Sequence, residues 1–319
     1  MTALADVLAT DGAALVTAAA RIGGTVAFDP AAIRARDASL GLRPPGLWSP
    51  NRSCRLVRAA DGWIAVNLAR DDDIGAVPAW LGTPLDMPHW RAAITTAPTL
   101  AVAELRERAV LLHLPVAVVG EAAPAPPRVL APRAVRRAGD RLRVIDLSAL
   151  WAGPLCGAVL AAAGADVTRY DGVTRRDPTA DIAPELDARL NGAKRRACFD
   201  PHAPAALVDA IAVADVLITN ARPLALARMG LTPDILFAAN PGLLWVAITA
   251  YGWTGDSAQR VGFGDDCAAA GGLVDWRQTR PRFLGDALAD PLSGIAASTA
   301  AMNAIADGVG GLVDVALAG

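Results

Sequence analysis

The sequence is short of the residues from which most catalytic machinery is assembled. It holds three histidines (His89, His113, His202) and four cysteines (Cys54, Cys156, Cys198, Cys267), with no Cys-X-X-Cys pair. A structural zinc site lacks a ligand set at the customary spacing, and reduced thiols are the simplest reading. No metal site is expected. Neither Gly-X-Ser-X-Gly nor His-Glu-X-X-His occurs, and His89 and His113 read as packing or surface residues. The first βα turn lacks Gly-X-Gly-X-X-Gly, which argues against a nicotinamide dinucleotide site. Charge is scarce at 19% and balanced, 30 basic against 32 acidic residues, for a net charge of −2. That pattern leaves no electrostatic footprint for nucleic acid or an anionic membrane. Long apolar runs are missing too: Leu150 to Ala165 is interrupted by Gly153, Pro154 and Gly157 and is too short to span a bilayer. The opening Met-Thr-Ala-Leu-Ala-Asp carries no positive flank of the kind that marks a signal peptide. A soluble, cytoplasmic protein is the expectation.

Apolar residues make up 53% of the 319, largely Ala and Val, while aromatics are only 5%. That suits tightly packed helices over a sheet, in two domains or one large α/β domain with an appendage. The one compositional break is 121–141, with four prolines and five arginines, which reads as an extended, solvated linker. Before it, 3–20 and 98–112 read as helices, 54–69 as a hairpin turning at Asp61-Gly62, and Val116 to Gly120 as a strand. After it, apolar strands at 143–148, 215–219 and 243–249 alternate with helices at 153–164, 204–214, 223–229 and 232–239. The fold class expected is therefore α/β: a Rossmann-like, mostly parallel sheet with helices on both faces. The N-terminal part reads as a smaller α+β domain.

In such sheets ligands gather at the carboxyl ends of the strands. Two loops there hold candidates: Ser148 to Pro154, and Asn220-Ala221-Arg222-Pro223 with Arg228-Met229-Gly230 beyond it. Free backbone N–H groups and arginine forks suit phosphate oxygens. Each is weak alone; Asn220 also reads as a helix cap, and Lys194-Arg195-Arg196 as a solvated basic turn. Asp290 precedes Pro291, so an N-cap role is the simplest reading from the residues themselves. The same position would hold a carboxylate ionised and outward, as a nucleophile requires.

Taken together, VIDLSALWAGPLCGAVLAAAGADVTRYDG, LNGAKRRACFD, ADVLITNARPLALARMGLTPDILFAANPGLLWVAITAYGWTG and ALADPLSGI resemble, in order and spacing, the class III CoA-transferases. That group includes formyl-CoA and carnitine CoA-transferases and the 2-methylacyl-CoA racemases. The resemblance implies that 142–319 is a CoA-binding α/β core with Asp290 as nucleophile. It places Trp151 and Ala152 on the loop lining the CoA thiol arm. Phe199, Asp200, Pro201, His202, Asn220, Ala221 and Arg222 fall beside the nucleotide, Arg228 and Met229 on its phosphates and adenine, and Arg260 on a further contact. It also implies acyl-CoA and a carboxylic acid as partners, no cofactor beyond coenzyme A as substrate, and a homodimer. Residues 1–120 resemble the family's second half, including its small domain, as if the chain were circularly permuted and shortened. Two departures stand out. The family's glycine-rich loop is matched by GLWSPNRS (46–53), and Phe263 stands near the racemase histidine. A non-catalytic acyl-CoA-binding protein, or a racemase or isomerase pairing Asp290 with Asp265 or Asp266, are the rival readings.

Overall fold

In a computed structural model of the chain, residues 2–135, 141–174 and 176–319 are described. A seven-stranded sheet forms the centre, in the order β4-β12-β9-β8-β5-β6-β7. In chain order, the strands preceding it are β1 (Cys54–Arg58), β2 (Trp63–Asn67) and β3 (Val116–Val118). The central strands follow: β4 (Arg128–Ala134), β5 (Arg143–Asp146), β6 (Asp166–Gly172), β7 (Arg195–Phe199), β8 (Val216–Thr219) and β9 (Leu244–Thr249). A separate hairpin, β10 (Val274–Arg277) with β11 (Arg280–Phe283), precedes β12 (Val309–Ala316). Neighbouring central strands are parallel except for β4 against β12. The middle strands Val-Leu-Ile-Thr and Leu-Trp-Val-Ala-Ile-Thr are buried at every position, as a sheet covered on both faces demands.

The helices are α1 (Thr2–Arg21), α2 (Pro30–Arg34), α3 (Asp71–Leu81), α4 (His89–Thr96), α5 (Val102–Leu111), α6 (Ala152–Ala162) and α7 (Thr179–Ile182). Then come α8 (Pro184–Asn191), α9 (Ala205–Ala212), α10 (Pro223–Arg228), α11 (Pro233–Ala239), α12 (Gly264–Ala270) and α13 (Ala289–Ala306). Helix α13 is rich in Ala and other small residues and is buried along most of its length. Small side chains let it lie against α6. A Cβ at Gly294 would stand 2.8 Å from the Ala152 carbonyl and 2.9 Å from Leu155 Cδ2, so only glycine permits this crossing. None of the described helices is long and apolar enough to cross a membrane.

The expected boundary between 1–120 and the core is redrawn by packing. Leu15, Ala18 and Ala19 of α1, spaced for one helical face, share a core cluster with Val144, Leu160, Ile295 and Met302. The opening helix therefore covers the main sheet, because its apolar stripe finds its partner on α13. An independent core begins later, with Ile64, Val66, Trp80 and Leu105 between β1-β2-β3 and α3 to α5. The opposite face of that small sheet (Cys54, Leu56, Ala65, Ala117) packs on Cys267 to Ala270 of α12, the period-two alternation of a strand with two covered faces. Backbone bonds from Gly120 and Ala122 to the carbonyls of Ala269 and Ala270, at 2.9 and 3.0 Å, seal the contact.

Two local readings also change. The linker is partly docked: Arg128–Ala134 becomes the antiparallel edge strand β4, since β12 would otherwise expose unpaired backbone groups. The linker residues 136–140 lie outside the described residues. In the hairpin, Arg58 pairs with Trp63, so Asp61-Gly62 belongs to a four-residue turn. There Asp61 Oδ1 instead accepts the Val102 N–H at 2.8 Å and caps α5.

Candidate active site

The strand order changes direction beside β5: β6 lies on one flank and β8 on the other. The loops leaving β5 and β8 therefore part and open a crevice at their carboxyl ends. The first, 147–151, is held from two sides. The Asn220 amide donates to the Ala149 carbonyl at 2.7 Å and accepts the Ala149 N–H at 3.0 Å. Asp177 accepts the Leu150 N–H at 2.9 Å while pairing with the buried Arg169 at 2.7 Å. Leu150 takes a left-handed conformation, φ 67°, which a non-glycine residue adopts only when its surroundings enforce it. Below the loop, Asp146 accepts the Ser148 N–H at 2.9 Å and pairs with Lys194 at 2.7 Å, both side chains fully enclosed. Lys194 also donates to the Pro154 carbonyl and Asn191. The reading of Lys194 as part of a solvated turn is thus overturned: it is the buried counter-charge of Asp146. Asn220 is likewise a positioning residue, both ends of its amide engaged.

Asp290 lies in the first turn of α13, not at its cap. The helix begins at Ala289, and Leu288 precedes it without a side-chain cap bond. The Asp290 N–H closes on the Ala287 carbonyl at 2.9 Å, which leaves the carboxylate for other work. One wall is α12. A Cβ at Gly264 would overlap Asp290 Oδ2 and stand 2.6 Å from the Ala287 carbonyl oxygen, so the absence of a side chain there makes room for the carboxylate. Asp265, next in sequence, accepts the Ala287 N–H at 2.7 Å and the Asn51 amide at 2.9 Å. Asn51 also donates to Asp286 at 2.8 Å. The segment 46–53, expected as the glycine-loop counterpart, thus reaches the site through Asn51. Arg36 pairs with Asp286 at 2.8 Å and lies over the Trp151 ring at 5.2 Å.

The electrostatics follow from this crowding of acids. Burial pushes the Asp290 carboxyl up to about 7; Arg36 opposes it, Asp265 and Asp286 add to it, and a hydrogen bond from the Ala152 N–H opposes it. Burial raises Asp265 to about 6, with Asp286 adding to the effect. Asp266 rises to about 8, again mainly by burial. Asp290 sits amid dense protein yet keeps partial solvent access, whereas Asp265 and Asp266 are 2% and 0% exposed. Of the three, Asp290 is the one that keeps this access. A cavity of about 450 Å³ lies elsewhere, between α1, β4 and the C-terminal half of α13, lined by residues such as Ala14, Val129 and Ala300. It holds none of these groups.

The nucleotide-side candidates come together in part. Phe199, Ala221 and Met229 are half-buried against one apolar cluster. Asp200 Oδ1 accepts the His202 N–H at 2.8 Å, shaping the exposed turn with Pro201. Arg222 donates to the Gln259 carbonyl at 3.0 Å and lies 3.3 Å from His113 Nδ1. Burial and the charges of Arg70 and Arg228 lower its pKa. Arg222 and Arg228, like charges near enough to repel, suit an anion, whereas Arg70 is already paired with Asp73. Arg260 does not join them. It pairs with Glu121 at 2.6 Å and donates to the Val116 carbonyl and Tyr251 hydroxyl, so its guanidinium is spent joining the small sheet to the core. Sequence reasoning missed Arg36, Arg70 and Asn51 because their relation to Asp290 or Arg222 is purely tertiary. Among the described residues no cluster of His, Cys, Asp and Glu could hold a metal ion.

Comparison with known proteins bears on this arrangement. The profile of CoA-transferase family III matches residues 140–319. A succinyl-CoA–D-citramalate CoA-transferase of Chloroflexus aurantiacus is 28% identical over 198 residues, covering 56% of this chain and 48% of that protein. An acyl-CoA transferase of Fusarium pseudograminearum is 30% identical over 201 residues, covering 55% and 44%. Among solved structures, Rv3272 from Mycobacterium tuberculosis superposes with a TM-score of 0.51 at 28% identity, covering 56% of this chain and 54% of that one. The chain spans about half the length of the curated relatives it matches.

Proposed function

This chain belongs to CoA-transferase family III, and from that premise we propose that it moves CoA between an acyl-CoA thioester and a free carboxylic acid, with Asp290 as the covalent nucleophile. The observation that carries the reading is the reachable Asp290 carboxylate, seated against the side-chain-free Gly264 at the start of α13. An Asp290 oxygen attacks the thioester carbonyl, the C–S bond breaks, and CoA leaves as thiolate, giving a mixed anhydride. The thiolate then attacks the aspartyl carbonyl and expels the first acid, giving an aspartyl-CoA thioester. An acceptor carboxylate attacks that thioester, and the two steps run in reverse. Dividing one exchange into short covalent steps lowers each barrier, and CoA contacts align the reacting ends. Arg222 and Arg228 are the phosphate contacts in this reading.

Racemisation is disfavoured. Phe263 cannot accept a proton, Gly264 has no room for a side chain, and the oxygens of Asp265 already hold Ala287 and Asn51. Homodimer formation belongs to the same proposal, although here the small domain covers its own core. So does the permuted order of the segments. The test is incubation with acyl-CoA followed by mass spectrometry. An acyl or CoA adduct at Asp290, absent from Asp290→Asn, is expected. CoA binding without any adduct would leave a binding protein and end the transferase reading.

A further inference from the structure

Arg36 is held in place from a distance. The neighbouring Asp37 carboxylate accepts the backbone N–H groups of Glu185 and Leu186, each at 3.1 Å, in the first turn of α8. Arg189 returns a hydrogen bond to the Ala35 carbonyl. This clasp fixes residues 35–37, otherwise outside regular structure, against the main core. Arg36 Nε then stands 2.8 Å from Asp286 Oδ2, an ion pair without hydrogen-bond alignment, and its planar face lies over Trp151. Among the described residues its terminal nitrogens make no hydrogen bond, and its side chain is 24% exposed. Trp151 is 2% exposed, and its indole Nε1–H is buried without an acceptor among the described residues. A buried donor left unpaired is costly, and a ligand oxygen relieves it.

Acid exchange poses an electrostatic problem at this site. The incoming substrate is an anion and must approach a pocket already containing Asp265, Asp286 and Asp290. Asp286 neutralises only one edge of Arg36, and a guanidinium fork can engage a second carboxylate through the other. We propose that Arg36, with the Trp151 indole N–H beside it, is the receptor for the carboxylate of the acid substrate. Arg36 holds that carboxylate beside the aspartyl carbonyl; in the acceptor step a carboxylate oxygen forms the new C–O bond while the C–S bond to CoA breaks and the thiolate takes the electron pair. This rests on the acyl-exchange reading for its chemistry, but binding of the acid can be measured without turnover.

The experiment is calorimetric titration of propionate and of succinate into the protein preloaded with CoA, for the wild type, Arg36→Gln and, as a control, the exposed Arg34→Gln. Loss of a charge-assisted pair corresponds to a drop of about 10- to 100-fold in acid affinity for Arg36→Gln, with CoA affinity unchanged and Arg34→Gln behaving as wild type. Arg36→Lys, which keeps the charge without the fork, recovers part of the loss. No acid binding by the wild type, or equal binding by Arg36→Gln, overturns the inference. Acid binding that depends on Arg36 in a protein forming no Asp290 adduct upholds it and removes the exchange reading instead.

Discussion

Replacing Asp266 by Asn should remove a large pH dependence of stability. Asp266 Oδ1 accepts the Asn67 amide at 2.8 Å and the Phe263 N–H at 3.0 Å. Among the described residues its Oδ2 is buried without a partner. Burial raises the carboxyl from 3.8 to about 8, opposed by those hydrogen bonds and assisted by Asp265; Cys54, Cys267, Tyr251 and Arg70 also feel its charge. A carboxyl whose folded pKa is raised gives stability that is fully present below its unfolded pKa and lost as the pH climbs through the folded one. The window is therefore pH 4 to 8, at about 1.4 kcal/mol per pH unit for one proton. Between pH 5 and 8 the wild type should lose about 3–4 kcal/mol through this group alone. Asn keeps the two acceptor bonds and cannot ionise. Denaturant melts at pH 5, 6, 7 and 8 should show the stability difference, Asp266→Asn minus wild type, rising with pH, while Asp265, Asp286 and Asp290 contribute similarly to both. A difference that stays flat from pH 5 to 8 would mean that Asp266 is ionised in the folded protein, and the reasoning fails.

The other expectations are shorter. Adduct formation at Asp290 requires the ionised carboxylate, so its rate should rise with pH through about 7; stopped-flow mass analysis giving a pH-independent rate from 5 to 8 would contradict that titration. Gly264→Ala places a methyl group on Asp290 Oδ2 and should cost about 1–3 kcal/mol of stability, together with most of the adduct, as read by thermal melting and mass spectrometry. Lys194→Met strands the enclosed Asp146 and should destabilise by about 3–5 kcal/mol; a melting curve matching wild type would show that the pair is dispensable.

The α/β layout was legible because periodicity and burial agree. Strands such as 216–219 and 244–249 are apolar at every position, and their helices begin at prolines. Residues 128–134 were misread because an edge strand facing solvent carries the same polar, proline-bearing composition as a linker; only the bare edge of β12 makes it a strand. Helix α1 was found but assigned to the wrong body, since an apolar stripe announces that a helix is covered and not what covers it.

The site divides along the same line. Asp290 stood out as an Asp-Pro at a helix start, read from the residues as a cap and from the resemblance of the ordered motifs as the candidate nucleophile. Its surroundings did not. Lys194 and Arg195 are adjacent in the same basic run, yet one is fully buried on Asp146 and the other is 66% exposed beside Asp166. Arg260 and Arg222 sit on neighbouring loops with the same charge, but a carboxylate at Glu121 captures the first while the second faces two other arginines. A cation's role is set by whether the fold brings it a counter-charge. That is why Arg222 and Arg228, near the strand ends and without an ion pair among the described residues, remain the candidates for phosphate, and why Arg36, only half neutralised by Asp286, is the one proposed for the acid.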